Sequence, residues 1–285
     1  MFKNILIPIS SEFYPKHVLN FSVFLATKFK CKINLIYIIE EKMLDQTDKY
    51  SNGFRTYYDK NDTKKDIIGK QKLTADNIIF DYAKFIFDNQ KISFSKKTVR
   101  GEFSKIIRDE TKKNDYDLIL MGFQKGSTLN YRLFEEIDIP VWVKMVGETG
   151  SILAVCSNLA PNKKVPDFSI MLSKLLSWKL NMAYIVDIED NVEVDGEGVR
   201  SSRKPEKDLV FKGQKFIESM EKKGFSMKLI KGNLVKETFN AAGICNANLI
   251  VIGREKKQKG IFGLPVKNFK RKMVEKGKYS ILFLN

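Results

Sequence analysis

Apolar runs bounded by polar turns alternate along this chain with stretches whose apolar residues recur at helical spacing. Residues 3–9 form the first such run. Residues 14–30 then carry Val18, Phe21, Leu25 and Phe29 on one helical face, and 32–39 form a second β-branched run. Between 40 and 72 the pattern breaks into a polar excursion holding Tyr50, Phe54, Tyr57 and Tyr58, which reads either as a partner-contact loop or as plain disorder. Helical spacing returns over 73–89, followed by a strand at 93–99, a helix at 103–113, a strand at 117–121 and a last strand at 141–146 after Pro140. The second half repeats the plan. It has strands at 151–156, 181–186, 226–231, 249–252 and 280–284, helices at 167–178, 208–223 and 235–242, and a basic helical pattern within 254–278. Such alternation predicts an α/β fold with doubly wound parallel sheets and right-handed crossovers.

The two halves are a tandem repeat. LILMG at 118–122 matches LIVIG at 249–253, and each final Gly is preceded by another 21 residues earlier, Gly101 before Gly122 and Gly232 before Gly253. Lys105 and Lys236 stand four places after the upstream glycines, and the strand starts ILIPIS and ILAVCS can be superposed. We therefore place one domain at 1–146 and a second at 147–285, each built on a five-stranded sheet. The terminal strands 141–146 and 280–284 are each apolar and would be unprotected edges if left alone.

Composition narrows the functional classes. No apolar run approaches the ~18 residues that cross a bilayer, and the start MFKNILIPIS reads as a strand, so a cytoplasmic protein without a membrane span is expected. Cys31, Cys156 and Cys245 lie far apart, with no CxxC pair and a single histidine, His17. That excludes the usual zinc arrangements and suggests buried free thiols. The net charge of +16 is uneven, because 254–278 alone holds ten basic and two acidic residues. An anionic partner, such as a nucleotide or polyanion, and a solvated basic face are the two readings of that stretch. The six carboxylates of 187–197 lack the spacing of a calcium loop and read as a solvated loop. No nucleophile elbow, metal cluster or Walker pattern is present, and His17 belongs to no such motif, so an enzyme is not expected.

These residues resemble the universal stress protein family in tandem form: the start MFKNILIPIS, the upstream Gly101 and Gly232, and the strands DLILMG and NLIVIG. The resemblance spans essentially the whole chain. It implies a Rossmann-like fold and, in the members that bind nucleotide, an Asp ending the first strand and a GxxGx9G(S/T) loop after the fourth. Here the Asp position holds Ser10 in the first repeat and Ser157 in the second. After Gly122 the loop carries Lys125, Glu135 and Glu136 where the pattern wants Gly, Gly and Ser/Thr, and the way to the last strand is eight residues shorter than in the second repeat. After Gly253 the length is kept, but Lys256, Val266 and Lys267 occupy those positions.

Losing glycine removes the close backbone approach to phosphate, whereas lysines can hold an anion only as flexible point charges. The candidate ligand residues are Ser157, Gly253, Arg254, Lys256, Lys257, Lys259, Gly260 and Lys267, with Ser10, Gly122, Gly126 and Ser127 as weaker first-repeat candidates. No catalytic or metal residue is assigned. Two functions stay open: a non-enzymatic stress-type regulatory protein acting through contacts with an unidentified protein, with nucleotide binding lost at least in the first repeat, or a module sensing ATP or another anion through the Lys-rich loop of the second. The resemblance further implies an intramolecular pair of repeats joined edge to edge through their last strands, so that 141–146 is expected to meet 280–284, and a homodimer beyond it is open.

Overall fold

The computed structural model describes residues 1–10, 16–40, 68–70, 75–123, 137–196, 198–255 and 269–285. The chain divides into two compact units, one carrying Met1–Gly122 and the other Phe134–Asn285. In the first unit β1 (Asn4–Ser10), α1 (Lys16–Phe29), β2 (Lys32–Ile39), α2 (Asp81–Asp88), β3 (Phe94–Arg100), α3 (Phe103–Lys113) and β4 (Leu118–Gly122) follow in order. A wider helical stretch, Ala75–Phe80, leads directly into α2. The strands lie in the order β3-β2-β1-β4, all parallel. Ile5, Leu6, Ile7 and Ile9 of β1 are wholly buried, as expected for a central parallel strand covered on both faces. The edge strand β3 instead exposes Lys96 and Lys97, charges that discourage further strand pairing. The Asp117 carboxylate ties the starts of β1 and β4 together by accepting the Lys3 amide at 2.8 Å and the Asn4 amide at 3.1 Å.

The second unit holds β5 (Val141–Lys144), β6 (Ser151–Ser157), α4 (Val165–Leu176), β7 (Lys179–Asp187), α5 (Glu206–Glu221), β8 (Lys228–Gly232), α6 (Leu234–Ile244), β9 (Leu249–Gly253), α7 (Phe269–Lys276) and β10 (Ser280–Leu284). Its strands run β8-β7-β6-β9-β10 in parallel, and β5 adds to β10 antiparallel, with Trp142 opposite Leu282. The expected meeting of the two terminal strands is thus present. It also explains why the compact units divide the chain before β5 rather than after 146: that strand buries Trp142 in the second unit, edge-on to Trp178 at 6.5 Å. Predicted boundaries differ from the observed ones by a residue or two at most elements, the usual uncertainty of helix and strand ends. The excursion of 41–67 lies outside the described residues.

The repeat is visible in the backbone itself. Gly101, directly after β3, and Gly232, ending β8, have φ of +148° and +149°. At Gly232 an added Cβ would lie 2.8 Å from Cγ of Glu237, and at Gly101 it would press on Ile106 at 3.1 Å. A side chain is disfavoured at both turns by conformation before packing is considered. Gly232→Ala should therefore lower stability by about 1–3 kcal/mol, measurable as a reduced urea midpoint with unchanged m-value.

Candidate functional site

In an open α/β sheet a ligand binds outside the carboxyl ends of the strands where the strand order reverses. In the second unit that point lies between β6, ending at Ser157, and β9, ending at Gly253. The turn that leaves β6 covers it. Ser157 is fully buried, and its Oγ accepts the Leu159 amide at 3.1 Å. Asn162 closes the turn from the other side, its Oδ1 accepting the Ser157 amide at 2.8 Å and its Nδ2 donating to the Ser157 carbonyl at 2.9 Å. This folds Pro161 onto β9, where its carbonyl oxygen lies 1.9 Å from where a Cβ on Gly253 would stand. Gly253 is needed because the protein's own backbone approaches it.

Arg254 follows the same logic. It is buried, with its Nη2 donating to the carbonyls of Ile137 and Ile139 and to Oδ1 of Asn285, while its amide donates to the Leu284 carbonyl at 2.7 Å. Burial pushes the guanidinium down to about 10, against the opposing pull of Asp138, so it remains charged at neutral pH. Read from sequence as an anion ligand, this side chain is turned inward and fastens the segment before β5 to the end of β10.

In the acidic segment after β7, Glu189 and Asp195 are exposed, as expected of a solvated loop, but Asp187 is held inside a structured turn. Asp187 is buried; its Oδ1 accepts the amides of Glu189 and Asp190 at 3.0 Å, and its Oδ2 accepts the first amide of α6, from Leu234, at 2.7 Å. A carboxylate at that helix start is favoured by the unpaired amides and the dipole. Asn158 joins this knot, accepting the Asp187 amide at 2.7 Å and donating to the carbonyls of Asp187 and Val192. Beyond it, Val194 bridges Arg200, whose guanidinium meets Glu255 in a bidentate pair at 2.9 and 3.0 Å. Glu255 is itself buried, and its carbonyl accepts Lys270 Nζ at 3.3 Å. Glu193 receives Lys204 at 2.5 Å and Lys212 at 2.7 Å. Burial alone would raise the Glu193 carboxyl, but those two hydrogen bonds outweigh it and hold it below its ordinary value. Among the described residues no group of three or more His, Cys, Asp and Glu side chains could hold a metal.

Of the remaining candidates, Lys256, Lys257, Lys259, Gly260 and Lys267 lie outside the described residues, as do Gly126 and Ser127. In the first unit Ser10 is half-buried at the end of β1 and Gly122 is buried at the end of β4, which is the equivalent strand-end position. The thiols are all free: Cys31 and Cys156 are buried as expected, with burial raising Cys31 to about 11 and Cys156 further, whereas Cys245 is half-exposed. Asn158, Pro161, Asp187, Arg200 and Glu255 were not legible as site residues, because each acts through a partner distant in sequence or through backbone.

Residues 1–139 match the model of the universal stress protein family. This first half belongs to that family. Among solved structures, a universal stress protein from Archaeoglobus fulgidus DSM 4304 is similar over 98% of this chain and 98% of its own, with TM-score 0.65 and 11% identity. A putative universal stress protein from Pseudomonas aeruginosa UCBPP-PA14 aligns over 99% and 93%, with TM-score 0.64 and 13% identity. A functionally unknown protein from Pseudomonas aeruginosa PAO1 aligns over 99% and 92%, with TM-score 0.67 and 13% identity. At these identities the likeness establishes the fold, the Rossmann-like universal stress architecture. No curated protein matches the chain. Among the described residues no helix is long and apolar enough to cross a membrane.

Two outcomes test this geometry. Gly253→Ala should destabilise by about 3 kcal/mol, since a Cβ there meets backbone that cannot rotate away; a melting temperature equal to that of the parent would show that the Pro161 turn yields. Because the folded Glu193 carboxyl lies below its ordinary value, its contribution is present above that value and is lost as pH falls through the folded one. Glu193→Gln should therefore flatten the fall in melting temperature between about pH 5 and 3.

Proposed function

We propose that this protein is a non-enzymatic regulatory member of the universal stress type that works through protein contacts rather than by holding a nucleotide. The observation that carries the reading is the Pro161 carbonyl seated against Gly253: the backbone-lined space at the switch point of the second sheet is occupied by the chain itself. The inward Arg254, the buried Ser157 and the Arg200–Glu255 pair extend that cover. In the first repeat the support comes from sequence, where Ser10 replaces the aspartate and the loop after Gly122 is eight residues shorter. The absence of any nucleophile or phosphate-loop motif in the sequence supports a non-enzymatic role.

Native mass spectrometry of the purified protein, with thermal melts in Mg-ATP and in polyphosphate at low salt, tests the reading. The expected result is no copurifying nucleotide, a melting shift below about 1 °C in millimolar ATP, and phosphate release equal to a buffer blank. A salt-sensitive shift that disappears when Lys256, Lys257 and Lys259 are changed together to Ala, but survives Lys96→Ala with Lys97→Ala, would instead establish anion sensing through the second repeat.

A further inference from the structure

The opposite end of the second sheet is open. β7 begins at Lys179, but β8 joins it only from Ala183 onward, where Ala183 faces Lys228. Lys179 to Met182 therefore have β6 on one side and, among the described residues, no strand on the other. The notch is the mouth of a cavity of about 490 Å³, bounded by Ile170 of α4, Leu180 and Met182 of β7, Phe225 before β8, and Ile244 of α6. Apolar surface continues out of it. Met171 and Leu175 line an adjoining groove and are 46% and 40% exposed, and Ile244 is 80% exposed. A contiguous apolar concavity of this kind costs stability if it stays wet, and is the usual form of a small-molecule site.

The polar side chains lining the cavity are Ser173, Lys174, Asn181, Ser226, Lys228 and Cys245. Asn181 carries an Nδ2 that is buried and meets no acceptor among the described residues, an unsatisfied donor in an apolar wall. Among the described residues, the charged side chains in the lining are Lys174 and Lys228, with no carboxylate. In the adjoining groove, Asp167 is 3.8 Å from Lys223. An occupant that satisfies this set has an acceptor for Asn181, negative charge for the lysines, and a flexible apolar body for Ile170, Leu180, Met182 and Ile244. At the roughly 30 Å³ that a water-sized group occupies in the liquid, the cavity holds on the order of fifteen such groups, enough for a chain of about ten carbons with its headgroup.

We infer that this cavity, at the amino ends of β7 and β8, is a binding site for a medium-chain acyl carboxylate, with Asn181, Lys174 and Lys228 at the headgroup and the α4 and α6 side chains along the chain. The site is separate from the strand-end crevice, and its occupation would couple an acyl ligand to the exposed α4 and α6 faces that surround it.

Cys245 supplies the readout. It lines the cavity and is half-exposed, whereas Cys31 and Cys156 are buried, so a thiol reagent acting on the native chain reports on the cavity. Decanoate below its micelle concentration should slow N-ethylmaleimide modification of Cys245 at least ~5-fold by mass action and raise the melting temperature, with butyrate and decanol giving much smaller effects. Asn181→Leu should weaken decanoate protection roughly tenfold, as should Lys174→Glu with Lys228→Glu, a surface change that leaves the packing intact. An Asn181→Leu chain that fails to fold is recognised by modification of Cys31 and Cys156, and the lysine pair then decides. Absence of protection by decanoate, equal protection by decanol, or unchanged protection in the Lys174→Glu/Lys228→Glu chain would overturn the inference.

Discussion

The carboxylate of Asp187, together with the amide side chain of Asn158, is the interaction on which the carboxyl end of the second sheet depends. Three amides converge on one buried carboxylate, two from its own loop and one from the start of α6. Asn158 links the same residue to the end of β6 by accepting its amide and donating to its carbonyl. A buried carboxylate without such partners would be costly, so the arrangement forms as a whole or not at all. It fixes where the loop after β7 leaves the sheet, and thereby where Arg200 meets Glu255.

A consequence follows for function. Universal stress folds place their strand-end crevice where backbone amides and glycine admit a ligand closely, and here Gly253 admits Pro161 instead. Closing that end uses the turn after β6, the loop after β7 and the inward Arg254, all of them built from internal hydrogen bonds. At the other end the late start of β8 leaves the first residues of β7 paired only with β6 among the described residues, beside an apolar cavity. Among the described residues of the second unit, the chain's own backbone thus lies against Gly253 at one end of the sheet, while an apolar cavity lies at the other.

The sequence by itself determined the elements, the repeat and one long-range pairing. Apolar runs of the right length fold as buried parallel strands because both faces are covered, so β1, β6 and β9 were legible without a partner in view. Gly101 and Gly232 were legible as a matched pair because a positive φ selects glycine locally, and the meeting of β5 with β10 through the family resemblance together with two bare apolar edges that need cover. What Gly253, Arg254 and the acidic loop do was decided only in three dimensions. Glycine admits a ligand or a neighbouring backbone equally well, and a buried arginine differs from an exposed one only through carbonyls supplied by residues such as Ile139, more than a hundred positions away. The cavity beside Asn181 likewise depends on where β8 starts relative to β7. That register belongs to the packed sheet, and no local pattern of residues records it.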